Sequence, residues 1–296
     1  MTGLVGVIAA LSSTIFWAIG AITFKRLGKK LEPLGMTMLK SLCSVLLLIL
    51  LAFILKENLM INFNFLLPLA LSGILGIAIG DSLFFASLNR LSPIILSILL
   101  LAGPDIATGI LAFFMLKENP PLLVWIGIIL TITGLACLLF PVNKLGNNVK
   151  TSVAGLVFAL LSLICTSLSM VIIKPVLSQV TTLTATIYRM FFGGILLLIF
   201  GIFSKKLNNW AQPFKSNQFR ASFFLIVSLI AVGGFWLSTV AIKNIDLVTA
   251  STLMSLEPFF IILFMVLLQK YVPSKKEIIG MCYALIGIFL ISLGEV

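Results

Sequence analysis

The chain has 296 residues, 60% of them hydrophobic and only 10% charged, with a mean hydropathy of +1.23. A soluble domain carries about 25% charged residues and could not hide so much apolar surface, so a water-soluble globule is excluded. The net charge of +11 would suggest nucleic acid in a soluble protein. Here the basic residues sit in short gaps between apolar runs, where they signal topology and meet anionic headgroups, and no nucleic-acid partner is expected.

The first apolar run starts almost at Met1, without a basic leader or a small-residue cleavage site, and predicts a retained span over Gly3–Phe24. Runs long enough to cross a bilayer, roughly 20 residues, recur at Pro33–Leu55, Phe65–Leu88, Pro93–Leu116 and Pro121–Phe140. After a polar linker come Ser152–Ile173, Thr182–Phe203, Ala221–Ile242, Leu247–Leu268 and Lys276–Leu293. The expected fold is therefore an all-α integral membrane protein with ten transmembrane helices. The gap from Asn208 to Arg220 is the longest, and its Trp210, Phe214 and Phe219 predict a segment lying at the membrane interface.

The two halves resemble one another once shifted. An offset of 149 places Gly6 on Gly155, Ala10 on Ala159, Ser13 on Ser162, Lys25 on Lys174 and Lys40 on Arg189. An offset of 154 places Gly80 on Gly234, Ser97 on Ser251 and Pro104 on Pro258. One residue is then lost, and Gly127 and Gly134 fall on Gly280 and Gly287. This divides the chain into residues 1–141, a linker at 142–151 and residues 152–296. Five spans per half is an odd number, so equivalent helices must cross in opposite directions. The halves are expected to form inverted repeats around a central cavity, the architecture that transporters use for alternating access.

The ordered set Phe16-Trp17, Lys40 and Arg189 seven positions into the second helix of each half, Leu116-Lys117-Glu118, and Ser255-Leu256-Glu257-Pro258-Phe259 resembles the EamA-type branch of the drug/metabolite transporter superfamily. That resemblance covers essentially the whole chain. It implies a ten-helix permease of the cell membrane, plasma or bacterial inner, often an exporter of amino acids or related metabolites. It also implies cytoplasmic termini. The charge count points the other way, because the odd-numbered loops hold 14 basic residues and the even-numbered loops four, which places both termini outside the cytoplasm. Gln269-Lys270 stands where the family pattern expects an acid, and Asp81 and Asp105 lie outside that pattern.

Ionisable groups within spans are costly and rarely idle. The candidates for substrate binding or coupling are Lys40, Asp81, Asp105, Arg189 and Glu257. Asp105 and Glu257 are the most central, and they adjoin Pro104 and Pro258, which are expected to kink their helices. These two acids are expected to approach each other at the cavity, where a partly desolvated carboxylate could bind an ammonium group or a coupling proton. Trp17, Tyr188 and Trp236 are expected to supply walls. Lys40 and Arg189 could instead neutralise the acids purely to hold the bundle together. Asp81, beside the small residues Gly76 and Gly80, reads equally as packing.

With no histidine, Ser–His–Asp and Cys–His catalysis and the commonest metal ligand are removed. Cys43, Cys137, Cys165 and Cys282 each lie in an apolar run and read as small hydrophobes. Neither metal nor cofactor is expected, and no phosphate-binding loop of the GxxxxGK[ST] kind is present. A secondary transporter of a small polar metabolite is the expected function. The alternative is a membrane-embedded enzyme acting on a lipid or lipid-linked substrate.

Overall fold

The structure, a computed structural model, describes residues 2–88, 90–91, 103–139, 152–269 and 272–295. All regular structure in these residues is helical. The helices are α1 (Thr2–Leu27), α2 (Pro33–Ile54), α3 (Phe63–Leu88), α4 (Gly103–Met115), α5 (Leu122–Leu139), α6 (Val153–Val176) and α7 (Thr182–Phe203). They are followed by α8 (Asn217–Asn244), α9 in two pieces (Leu247–Met254 and Glu257–Gln269) and α10 (Lys275–Glu295). Among the described residues, eight helices are long and apolar enough to cross a membrane, and Ile106–Met115 and Leu122–Cys137 are shorter apolar helices. The start of the predicted fourth span, and with it Ser97, lies outside the described residues.

The side chains are arranged as lipid requires. Leu46, Leu50 and Phe53 of α2, Leu160 and Ile164 of α6, and Leu285 and Phe289 of α10 are exposed, whereas Ser13, Ser41, Ser72, Ser162, Thr186 and Thr239 are buried. Buried hydroxyls then need partners inside the bundle. Ser72 and Ser169 exchange hydrogen bonds, each hydroxyl donating to the other's carbonyl at 2.9 and 2.7 Å, and so clasp α3 to α6.

Two pairs of equivalent helices, α5 with α10 and α2 with α7, pack directly on one another and run in opposite directions. A Cβ placed on Gly127 would meet the carbonyl of Gly287 at 2.8 Å, and one on Gly134 would meet that of Gly280 at 2.6 Å. As α5 is followed upward in number, its contacts on α10 run downward. The same holds for α2 and α7: Glu32 lies beside Lys206, Ser41 beside Gly194, and Glu57 beside Thr181. Both α2 and α7 also end alike. Lys56 and Lys205, offset by 149, take left-handed backbone angles with φ of 55° and 56°. The following amides, of Glu57 and Lys206, reach back to the carbonyls of Ala52 and Gly201, which is a Schellman closure at both sites.

The third helix of each half carries a π-helical stretch, Gly73–Asp81 in α3 and Ile230–Trp236 in α8. Such stretches expose backbone carbonyls and recur at functional sites. Ser13 of α1 donates to the carbonyl of Gly234 at 2.9 Å, and Ser162 of α6 donates to that of Gly80 at 2.8 Å. These are the very serines and glycines that the two offsets match, now bonded crosswise between the halves.

In α9 the chain breaks before the proline rather than bending at it. Pro258 cannot donate to the carbonyl four residues back, that of Met254, and its ring crowds that carbonyl. The first piece of α9 stops at Met254, and the second begins at Glu257 with Pro258 in its first turn, where the missing amide costs little. Pro104 lies on α4, and the residues before Gly103 lie outside the described ones.

At the end of the bundle where α9 begins, Glu118 accepts hydrogen bonds from the amides of Leu247 and Val248, both at 2.9 Å, and so caps that helix from the α4–α5 connection. Lys174 donates to the carbonyls of Ile242 and Ile245 at the foot of α8, and its ammonium lies 4.0 Å from Glu118. At the opposite end, the α7–α8 connection forms short helical turns over Leu207–Ala211 and Gln212–Lys215. The sequence suggested an interfacial segment there. Trp210 is in fact buried, and its indole donates to Glu32 at 3.1 Å. That hydrogen bond, helped by the Lys206 ammonium, holds the Glu32 carboxyl below its ordinary range.

Candidate functional site

A cavity of about 110 Å³ lies within the bundle. On this measure one water needs roughly 10–15 Å³, so the space suits a small solute. Both halves contribute. The first supplies Trp17, Gly76, Ile77, Asp81 and Phe84, and the second supplies Ser162, Thr166, Met170, Arg189, Phe235, Ser238, Met254 and Glu257. The two π-helical stretches and the break in α9 therefore all border it.

The charges at the cavity are built from the repeat. Lys40, completely buried on α2, donates to the Asp81 carboxylate on α3 and makes an ion pair with it. Its ammonium also lies 5.3 Å from the ring of Phe85 and 4.6 Å from that of Phe235, which adds cation–π attraction. Asp81 faces the cavity and Lys40 stands behind it. Arg189, at the position of α7 that matches Lys40, is also buried. It donates from Nη2 to Ser169 at 3.0 Å and makes a longer contact, 3.9 Å, with the sulfur of Met170. Its Nε has no hydrogen-bond partner among the described residues. Gly73 and Gly76 let α3 approach this arginine closely, since a Cβ on Gly73 would stand 2.3 Å from the Arg189 carbonyl.

Of the residues singled out in the sequence, Trp17, Asp81, Arg189 and Glu257 border the cavity, and Lys40 reaches it through Asp81. Trp17 packs edge-on against Phe235 with ring centroids 4.8 Å apart. Tyr188 and Trp236 are not among the lining residues. The Tyr188 hydroxyl donates to the Leu59 carbonyl at 3.2 Å, and the Trp236 indole donates to the Thr182 hydroxyl at 3.1 Å. Each sits beside a cavity residue in sequence but on another helix face. The backbone of Asp105 belongs to α4, whereas its side chain, and hence the expected approach to Glu257, lies outside what the structure describes. Ser162, Thr166 and Met170 also line the cavity, without a charge or a depth signal in the sequence to mark them. Their four-residue spacing forms one stripe of α6, a signal that only the match of Ser162 with Ser13 hints at.

Apolar exterior, hydroxyl-rich interior and an internal cavity bordered by charged side chains define a multi-pass membrane protein with room for a small solute. The chain belongs to the EamA-like transporter family, whose pattern it matches twice, over residues 4–140 and 153–293. It is thus a membrane transporter of the drug/metabolite transporter superfamily. An uncharacterized transporter of Clostridium kluyveri is 26% identical over 293 residues, covering 95% of this chain and 91% of its own. A crystal structure of another protein superposes with a TM-score of 0.73 at 16% identity, covering 97% of this chain and 96% of that one, which speaks for the fold alone.

Proposed function

We propose that the protein is a secondary transporter that carries a small polar metabolite, an amino acid or a related solute, by alternating access between two inverted five-helix repeats. The carrying observation is the crosswise pair of bonds, Ser13 to Gly234 and Ser162 to Gly80. They join each half's first helix to the other half's third helix beside one shared cavity. Antiparallel packing of α2 on α7 and of α5 on α10 supports the inversion, and cavity residues from both halves support a site between the repeats. A rocking of one half against the other would open that site to each side in turn. Ten crossings, with residues 1–141 and 152–296 as the two repeats, follow from the same reading. So does a coupling role for Glu257, which borders the cavity at the break in α9.

Cysteine accessibility tests this. Ser238 lines the cavity and is buried. In a background with the four native cysteines replaced, Ser238→Cys is expected to react with an impermeant maleimide in both right-side-out and inverted vesicles. Reaction from one side only, under every solute condition, would argue for a fixed cavity rather than a carrier.

A further inference from the structure

The repeat that matches Lys40 with Arg189 is broken at their partners. The offset of 154 that aligns Gly80 with Gly234 aligns Asp81 with Phe235. Lys40 therefore has a resident carboxylate, whereas the corresponding position in the second half holds a phenyl ring. Asp81 acts electrostatically on Arg189, but its hydrogen bond and ion pair go to Lys40. Among the described residues, Arg189 is left with a hydroxyl and a thioether on Nη2, no hydrogen-bond partner for Nε and no ion pair. A buried guanidinium whose direct contacts are neutral lacks the paired anion that usually accompanies it. It also borders the cavity.

We infer that Arg189 is the anchor for a carboxylate group on the transported solute, which supplies in the second half what Asp81 supplies in the first. This rests on the transporter reading above and narrows it to solutes bearing a carboxylate. The guanidinium suits the role because its planar fork pairs with both oxygens of a carboxylate, whereas a lysine at the same place would offer a point charge. Ser169 and Met170 on α6 hold the Nη2 end of the guanidinium, and the close backbone of α3 at Gly73 packs on the backbone of Arg189. Phe235, packed against Trp17, keeps a competing acid out of the position where Asp81 would otherwise be repeated.

The test uses the full-length protein in proteoliposomes and three matched pairs of probes: L-leucine with L-leucinamide, L-phenylalanine with phenethylamine, and lactate with lactamide. The wild type is expected to transport or be inhibited by carboxylate members about ten- to a hundredfold better than by their partners, the range for a hydrogen bond to a charged group. Arg189→Gln is expected to raise the KM for carboxylates by that factor and to leave any interaction with the amides and amines within about twofold. Arg189→Lys, which keeps the charge and helps the variant to insert, is expected to fall between. A purely structural arginine would weaken both members of each pair together, so an unchanged preference in both variants overturns the inference. Flux that favours the amides or amines in the wild type overturns it while leaving the transporter reading intact. Absence of flux for all six probes counts against both.

Discussion

Replacing Lys40 with Met is expected to destabilise the folded protein by about 3–5 kcal/mol, the cost of stranding one member of a buried ion pair. Lys40 is completely buried, and the Asp81 side chain is only 16% exposed. Removing the ammonium leaves the Asp81 carboxylate at the cavity with its ion-pair partner gone. Asp81→Asn is expected to be similarly costly, because the ammonium keeps its aromatic neighbours but loses its counter-charge. The double variant Lys40→Met with Asp81→Leu should recover most of the loss, since a well-packed apolar pair replaces a buried ionic one at little net cost. Thermal unfolding of the purified proteins in detergent measures all three. Single variants as stable as the wild type would mean that the pair is water-filled and unimportant to the fold.

Gly134→Val is expected to cost about 1–3 kcal/mol or more through overpacking. Its Cβ would lie 2.6 Å from both the Gly280 carbonyl and the Ala284 amide nitrogen of α10, and backbone cannot swing aside as a side chain can. Gly287→Val attacks the same seam from the other helix, at 2.7 Å from the Gly127 carbonyl and 2.3 Å from the Thr131 hydroxyl. Helices in lipid gain no hydrophobic drive to associate, so close backbone approach carries more of the adhesion than it would in water. Loss of thermal stability in both variants, with Gly294→Ala milder because its Cβ meets the side chain of Val124 first, would establish α5 and α10 as a glycine-packed seam. Wild-type stability in Gly134→Val would contradict it.

What the sequence could reveal was set by chemistry that stands out against an apolar background. Lys40 and Arg189, the serines Ser13 and Ser162, and the glycines of the third, fifth, eighth and tenth helices are sparse enough for their order to expose the repeat. The five spans expected in each half then imply opposite helix directions. Partnership was less legible. Nothing local joins Lys40 to Asp81, 41 residues apart, or tells that Glu118 caps a helix 129 residues further on. The π-helical stretches hold the carbonyls of Gly80 and Gly234 that accept from serines of distant helices, contacts that no local pattern shows. Tyr188 and Trp236 were assigned to the cavity by residue type and depth, and neither fixes the face on which a ring projects. Pro258 marked the right place in α9. However, whether a proline kinks a helix or breaks it depends on the packing around it, and one sequence does not say.

The carrier reading is tested most directly by counterflow. Proteoliposomes loaded with an unlabelled amino acid and diluted into a trace of the same labelled solute are expected to accumulate label transiently above equilibrium. An alternating-access site returns occupied faster than it exchanges net solute, and the overshoot should vanish in liposomes without protein. A panel of amino acids and related metabolites in which each entering solute merely equilibrates, with no overshoot at any internal concentration, would contradict alternating access and leave a channel or a non-transporting membrane protein in its place.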